Sequence, residues 1–252
     1  MDKEYDNVIE ARQLAVGYAK RAVVSGMDFT VRRGEITALI GENGSGKSTL
    51  LKTLTGELPV ISGNVYIEGR EIGSLTAKDM AKSAAIVMTR ASRPDFFTCR
   101  DMVSSGRYPY TGRLGGLTAK DEAAVDEAMR LTGTSELADR YVTDISDGQR
   151  QLVMLARAIA QEPRVLILDE PTGFLDIRPK LLLSDTVRSL AVNNGLAVLM
   201  SIHELELVRE TADRVMTLKD GRIDRQGKTG GILTDGYIKE LFRLDADPAQ
   251  GR

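Results

Sequence analysis

The chain has 252 residues, 42% of them hydrophobic and 28% charged, with a formal net charge of −2. That apolar content suits one large domain or a core with a subdomain, and the near-neutral balance excludes a broad electrostatic case for nucleic acid or an anionic membrane surface. A single cysteine, Cys99, leaves no internal disulfide, the first residues are too polar for a signal peptide, and no apolar run approaches the ~18 residues of a membrane helix. A reducing compartment is therefore expected, with any membrane role running through a partner.

Residues 8–31 read as short strands joined by turns, one over 13–18 and one over 23–31, where Met27, Phe29 and Val31 alternate. Arg32-Arg33-Gly34 turns the chain into a buried strand over residues 35–40. Next comes Gly41-Glu42-Asn43-Gly44-Ser45-Gly46-Lys47-Ser48-Thr49, which fits the phosphate-binding loop G-x-x-x-x-G-K-[ST] of nucleoside triphosphatases. Its glycines let backbone N–H groups face phosphate oxygens, Lys47 reaches the β- and γ-phosphates, and the Ser48 hydroxyl ligates Mg²⁺. Residues 50–54 open a helix, so the phosphates are expected at a helix N-terminus. A break over 59–63 precedes a short strand over 64–69, and residues 78–160 read as mainly helical. The strongest helices there are Ala119–Leu131 and Asp147–Ala160. Residues 164–169 and 196–202 are apolar runs that read as central parallel strands. The chain beyond Gly221 is polar and Gly-rich and ends in a short helix near 237–242.

The run Val165-Leu166-Ile167-Leu168 ends in Asp169 and Glu170. Alone, such a pair reads as a solvated strand end. Opposite a phosphate loop, Asp169 reads as the Mg²⁺ carboxylate and Glu170 as the general base for the attacking water. Ile145-Ser146-Asp147-Gly148-Gln149 begins the second strong helix, and Ser146 with Gln149 fits the capping box S-x-x-Q. A serine hydroxyl at a helix N-terminus also makes an anion site.

With these motifs in order, the chain resembles the ATP-binding cassette (ABC) family, whose L-S-G-G-Q signature is matched by I-S-D-G-Q over roughly residues 8–224 of shared pattern. The resemblance implies an α/β fold: a P-loop NTPase core with an N-terminal antiparallel β subdomain and an inserted α-helical signature subdomain. It implies a core over residues 6–85 and 161–225, a helical region over 86–160 and a tail over 226–252. It implies ATP and Mg²⁺ as ligands, held by Gly41, Asn43, Gly44, Ser45, Gly46, Lys47, Ser48 and Thr49. Tyr18, which alone reads as a turn tyrosine, matches the aromatic that stacks on adenine. Asp176, closing Gly173-Phe174-Leu175-Asp176, matches the acidic member of the loop that contacts a partner ATPase. His203, the single histidine, matches the switch residue on the γ-phosphate. Catalysis is thus expected from Glu170, His203 and Lys47.

Two copies are expected to clamp two ATP molecules, with Ser146, Gly148 and Gln149 of one copy completing the other's site. A membrane-spanning permease, and through it a solute-binding protein, complete the implied partners, and place the chain at the cytoplasmic face of the membrane. Two positions depart from the family pattern. Thr89 stands where a glutamine usually senses Mg²⁺ and water; it is shorter and has no amide, which weakens its expected contact with the metal. Asp147 replaces a glycine and adds negative charge near a docking phosphate. The stretch Ser105-Gly106-Arg107-Tyr108-Pro109-Tyr110-Thr111-Gly112 is an aromatic-lined turn on its face. It is similar to a segment of ATPases serving iron-siderophore, haem and cobalamin importers, so metal-chelate uptake is the favoured role. An exporter subunit and a non-transport or regulatory ABC ATPase are the alternatives.

Overall fold

The computed structural model describes residues 7–88, 94–112, 116–173 and 175–243. β1 (Asn7–Tyr18) and β2 (Arg21–Arg32) form an antiparallel hairpin. Its two-residue turn, Ala19-Lys20, has both φ angles positive, the twist that matches flanking strands. β3 (Ile36–Gly41) leads into α1 (Lys47–Leu54). β4 (Ser62–Ile67) and β5 (Arg70–Glu71) complete a four-stranded antiparallel sheet in the order β2-β1-β4-β5. The chain continues through α2 (Ala77–Ser83), β6 (Ala84–Met88), α3 (Cys99–Ser104), α4 (Ala119–Leu131) and α5 (Asp147–Ala160). It then returns to the sheet as β7 (Val165–Asp169), α6 (Ile177–Asn194), β8 (Ala197–Ser201), α7 (Leu205–Thr211), β9 (Arg214–Lys219) and β10 (Arg222–Lys228), followed by α8 (Thr229–Ile232) and α9 (Asp235–Leu241).

The second sheet has the order β10-β9-β3-β8-β7-β6, parallel except at β10. Both its faces are covered, which is why its strands are near-continuous apolar runs. In β7, Val165 and Ile167 join the apolar cluster of the antiparallel sheet and α1, while Leu166 and Leu168 join the cluster of α3 to α7. That is the period-two alternation of a strand, with apolar residues on each side. The phosphate-loop strand β3 lies between β8 and β9, and the carboxylate strand β7 lies on the far side of β8. Their C-terminal ends lie on the same edge of the sheet, one strand apart, the edge at which open parallel sheets bind ligands.

The structure moves two of the expected boundaries. Residues 86–88, expected in the helical region, belong to the sheet, because β6 pairs with β7 from Ala84 opposite Val165 to Met88 opposite Asp169. Residues Ala84, Ala85 and Val87 are buried as its edge strand. The tail expected from residue 226 is partly core: β10 reaches Lys228, and α9 buries Tyr237 and Leu241. The Tyr237 hydroxyl bonds Asp224 at 2.6 Å and shares a hydrogen bond with Thr217, and burial raises its pKa.

Candidate functional site

The phosphate loop joins a fully buried strand to a helix with an open N-terminus. Gly46, the N-cap of α1, has φ 101°, and no side chain caps the helix. A Cβ at Gly46 would stand 2.2 Å from Val24 Cγ2, so β2 presses on the loop where only glycine fits. Lys47 is buried, and its Nζ donates to the carbonyls of Gly41 at 2.8 Å and Glu42 at 3.1 Å. Burial pushes its ammonium below the ordinary lysine range, opposed by the charges of Glu170 and Asp169. The expected phosphate ligand and both expected carboxylates therefore share one electrostatic neighbourhood. Ser48 is exposed and Thr49 buried, so of the two hydroxyls Ser48 is the one open to a ligand.

Ser201, at the end of β8, ties the loop strand to the carboxylates. It lies opposite Leu39 in β3 and opposite Asp169 in β7. Its Oγ donates to Asp169 Oδ1 at 2.7 Å and accepts the Glu170 N–H at 2.9 Å. Glu170 has φ 50°, an uncommon left-handed conformation for a side chain of this size. That backbone turn swings its carboxylate to His203, whose Nε2 meets Glu170 Oε1 at 2.5 Å. Glu170, His203 and Asp169 are residues the sequence points to and Ser201 is not; its one signal there is a hydroxyl closing an otherwise apolar strand.

Ser146, Gly148 and Gln149 lie elsewhere, lining a groove with Arg178, Pro179 and Leu181 of α6. The capping box is present in both directions: Gln149 N–H donates to Ser146 Oγ at 3.2 Å, and Ser146 N–H to Gln149 Oε1 at 3.0 Å. A Cβ at Gly148 would meet Pro179 Cβ at 2.5 Å, so close helix packing requires glycine there. Asp147 forms an ion pair with Arg150, whose guanidinium is buried and also donates to the Ile145 carbonyl at 3.0 Å. The added negative charge expected at Asp147 is thus partly offset within one helical turn. Asp176 is the exposed N-cap of α6 and makes no side-chain capping bond. Tyr18 is 50% exposed at the end of the hairpin whose other strand presses on Gly46. Thr89 lies outside the described residues; Met88 before it is in register with Asp169.

The segment expected to narrow the substrate has an internal role. Arg107 is 1% exposed and donates to Asp121 Oδ1 at 2.9 Å, to the Ala160 carbonyl at 2.7 Å and to Glu162 Oε2 at 2.7 Å. Its guanidinium lies 3.8 Å from the centroid of the Tyr110 ring. These residues bind α4 to the end of α5, and Tyr108 alone of the segment's large side chains is strongly exposed, at 63%.

The oxygen donors at the loop fit Mg²⁺. Ser48 supplies a hydroxyl and Asp169 a carboxylate, hard ligands for an ion that takes one or two protein oxygens and completes its shell with phosphate and water. No cluster of three or more His, Cys, Asp or Glu able to hold a metal occurs among the described residues.

The model of the ABC transporter family matches residues 24–173. An uncharacterized ABC transporter ATP-binding protein of Methanocaldococcus jannaschii is 40% identical over 94% of this chain and 82% of its own length. The iron(3+)-hydroxamate import ATP-binding protein of Bacillus subtilis is 35% identical over 96% of this chain and 90% of its own. Among solved structures, a chain from an inward-facing transporter described as of metal-chelate type superposes with a TM-score of 0.82 at 28% identity, covering 94% of this chain and 89% of its own.

Proposed function

The chain belongs to the ABC transporter family and is an ATPase, and we propose that it powers import of a metal chelate through a separate membrane permease. No helix among the described residues is long and apolar enough to cross a membrane, so this reading gives the membrane path to a partner. The observation that carries the hydrolytic mechanism is the meeting of three strand ends. β3 delivers the phosphate loop, β7 delivers Asp169 and Glu170, and β8 delivers Ser201 and His203. The substrate class is supported by the likeness to the hydroxamate import protein and to the metal-chelate type transporter. The Arg107 segment supports it only as a point of resemblance to such importers, since its arginine is engaged internally.

In this mechanism the loop N–H groups and the α1 N-terminus bind the β- and γ-phosphates, and Lys47 exchanges carbonyl partners for phosphate oxygens. Ser48 and Asp169 would hold Mg²⁺, which would supply positive charge to the phosphate oxygens. Glu170 accepts the proton of the attacking water, and Ser201 fixes the backbone that aims it. His203 braces the Glu170 carboxylate and holds the γ-phosphate. A second copy supplies Ser146, Gly148, Gln149 and Asp176 across each nucleotide, and Tyr18 stacks on the adenine.

One experiment tests the reading: co-purification with a membrane partner, then ATPase assays with candidate metal chelates and their binding protein. We expect chelate-stimulated hydrolysis in the wild type, and Glu170→Gln with ATP affinity retained and turnover lower by about 10²–10⁴-fold. Stimulation by none of the chelates would remove the substrate class. Near-normal turnover in Glu170→Gln would remove the general base.

A further inference from the structure

The residue after His203 makes a contact that the mechanism above does not use. Glu204 is the N-cap of α7, yet its side chain does not cap that helix. Both its carboxylate oxygens instead accept from Lys180 Nζ, at 2.7 and 2.8 Å. Lys180 sits in the first turn of α6, its N–H donating to the Asp176 carbonyl at 3.1 Å. The pair is partly screened, with 21% of the Lys180 side chain exposed and 49% of Glu204. Pairs this exposed add at most about 1 kcal/mol of stability, so its consequence is positional.

The end of β8 is held at three points. Ser201 is bonded to Asp169, His203 to Glu170 and Glu204 to Lys180, while Ile202 is buried between the first two. The last of these closes a ring. From Glu170 the chain runs to Lys180, the ion pair crosses to Glu204, and His203 next to it returns to Glu170. Glu170 and His203 are therefore fixed to each other twice, once directly and once through α6. Asp176, the N-cap of that helix, is thereby linked to His203 through Lys180.

We propose that Lys180 is a positioning residue for hydrolysis, clamping Glu204 to α6 so that His203 stays against Glu170. This rests on the roles given above to Glu170 and His203. Displacement of about 1 Å at such a group is enough to cost up to a hundredfold in rate, which the clamp prevents.

The test uses the full chain at concentrations where the ATPase rate per chain no longer rises. Lys180→Met and Glu204→Gln are each expected to lower kcat about tenfold, with KM for ATP and the melting temperature unchanged. The two together are expected to lose no more than either alone, because both remove one interaction. Lys180→Arg is expected to restore most of the rate. His203→Ala is run alongside. Loss of turnover in His203→Ala with full turnover in Lys180→Met overturns the clamp alone; full turnover in His203→Ala overturns the role of His203 and the clamp with it. Additive losses in the double variant, or a raised KM at unchanged kcat, also overturn the clamp.

Discussion

The N-termini of α1 and α5 carry the two motifs of the proposed site and are built in opposite ways. α1 follows a left-handed glycine, has no side-chain cap and has no acidic residue in its first turn. α5 follows Ser146, closes a two-way capping box with Gln149 and carries Asp147 in its first turn. Every helix start has backbone N–H groups with no partner in the helix. At α1 the chain's own side chains leave them for a phosphate. At α5 the Gln149 N–H is satisfied by Ser146 and the local acid is paired with Arg150. The box uses Ser146 Oγ as an acceptor, so its O–H is still available to donate. One start therefore offers a cradle of backbone donors, and the other a single hydroxyl on a pre-stiffened helix. A phosphate cradle must be empty of the protein's own groups. A docking hydroxyl gains from being held still.

The comparison breaks first at Gly46. Gly46→Ala puts a methyl 2.2 Å from Val24 Cγ2 at φ 101°, and we expect ATP affinity to fall about a hundredfold with the far-UV dichroism unchanged. Binding by calorimetry within about threefold of wild type would show that the loop can relax and that the glycine is not needed for the cradle. At α5 the expected loss is smaller and of another kind. Ser146→Ala should reduce stability by about 1 kcal/mol and slow turnover, while the isolated chain binds ATP as before. Equal loss of single-chain ATP affinity would place Ser146 in the same site as Lys47 and contradict the reading of two half-sites.

The smallest expected effect is on acid stability and concerns α4, which starts like α5. Asp121 completes a capping box with Thr118, and its pKa falls from the ordinary 3.8 to about 2 through the Thr118 hydroxyl first, then the Thr118 N–H and Arg107. Because the folded value lies below the unfolded one, the stabilisation is fully present above pH ~4 and is lost as pH falls towards about 2. Asp121→Asn should therefore flatten the fall in stability across that window, measured by denaturant melts at successive pH values. An unchanged slope would mean that other carboxylates carry the acid sensitivity.

Much of the local structure of the candidate site was legible because its parts are contiguous in the chain. The loop from Gly41 to Thr49 is a contiguous backbone device flanked by a strand and a helix, and the Ser146–Gln149 box spans one helical turn. Burial on both faces makes β7 and β8 continuous apolar runs of strand length, which is how they read as central strands. Local chemistry of this kind acts over a few residues, and the sequence carries it directly. The edges of the elements were less legible. β6 was absorbed into a helical stretch because five apolar residues have no distinguishing period, and pairing with β7 decided the matter.

The phosphate loop, the carboxylate strand, the helix caps and, through their order, the family follow from neighbouring residues in the chain. Which distant side chains meet is set by packing. Ser201 reaches Asp169 because β8 lies between β3 and β7. Lys180 reaches Glu204 because α6 packs beside the end of β8. Arg107, which the sequence placed in a substrate-narrowing segment, turns inward to Asp121 and Glu162. The physical reason is the same in each case: a side-chain bond needs its partners within about 3 Å, and sheet order and helix packing set that distance across tens of residues of intervening chain.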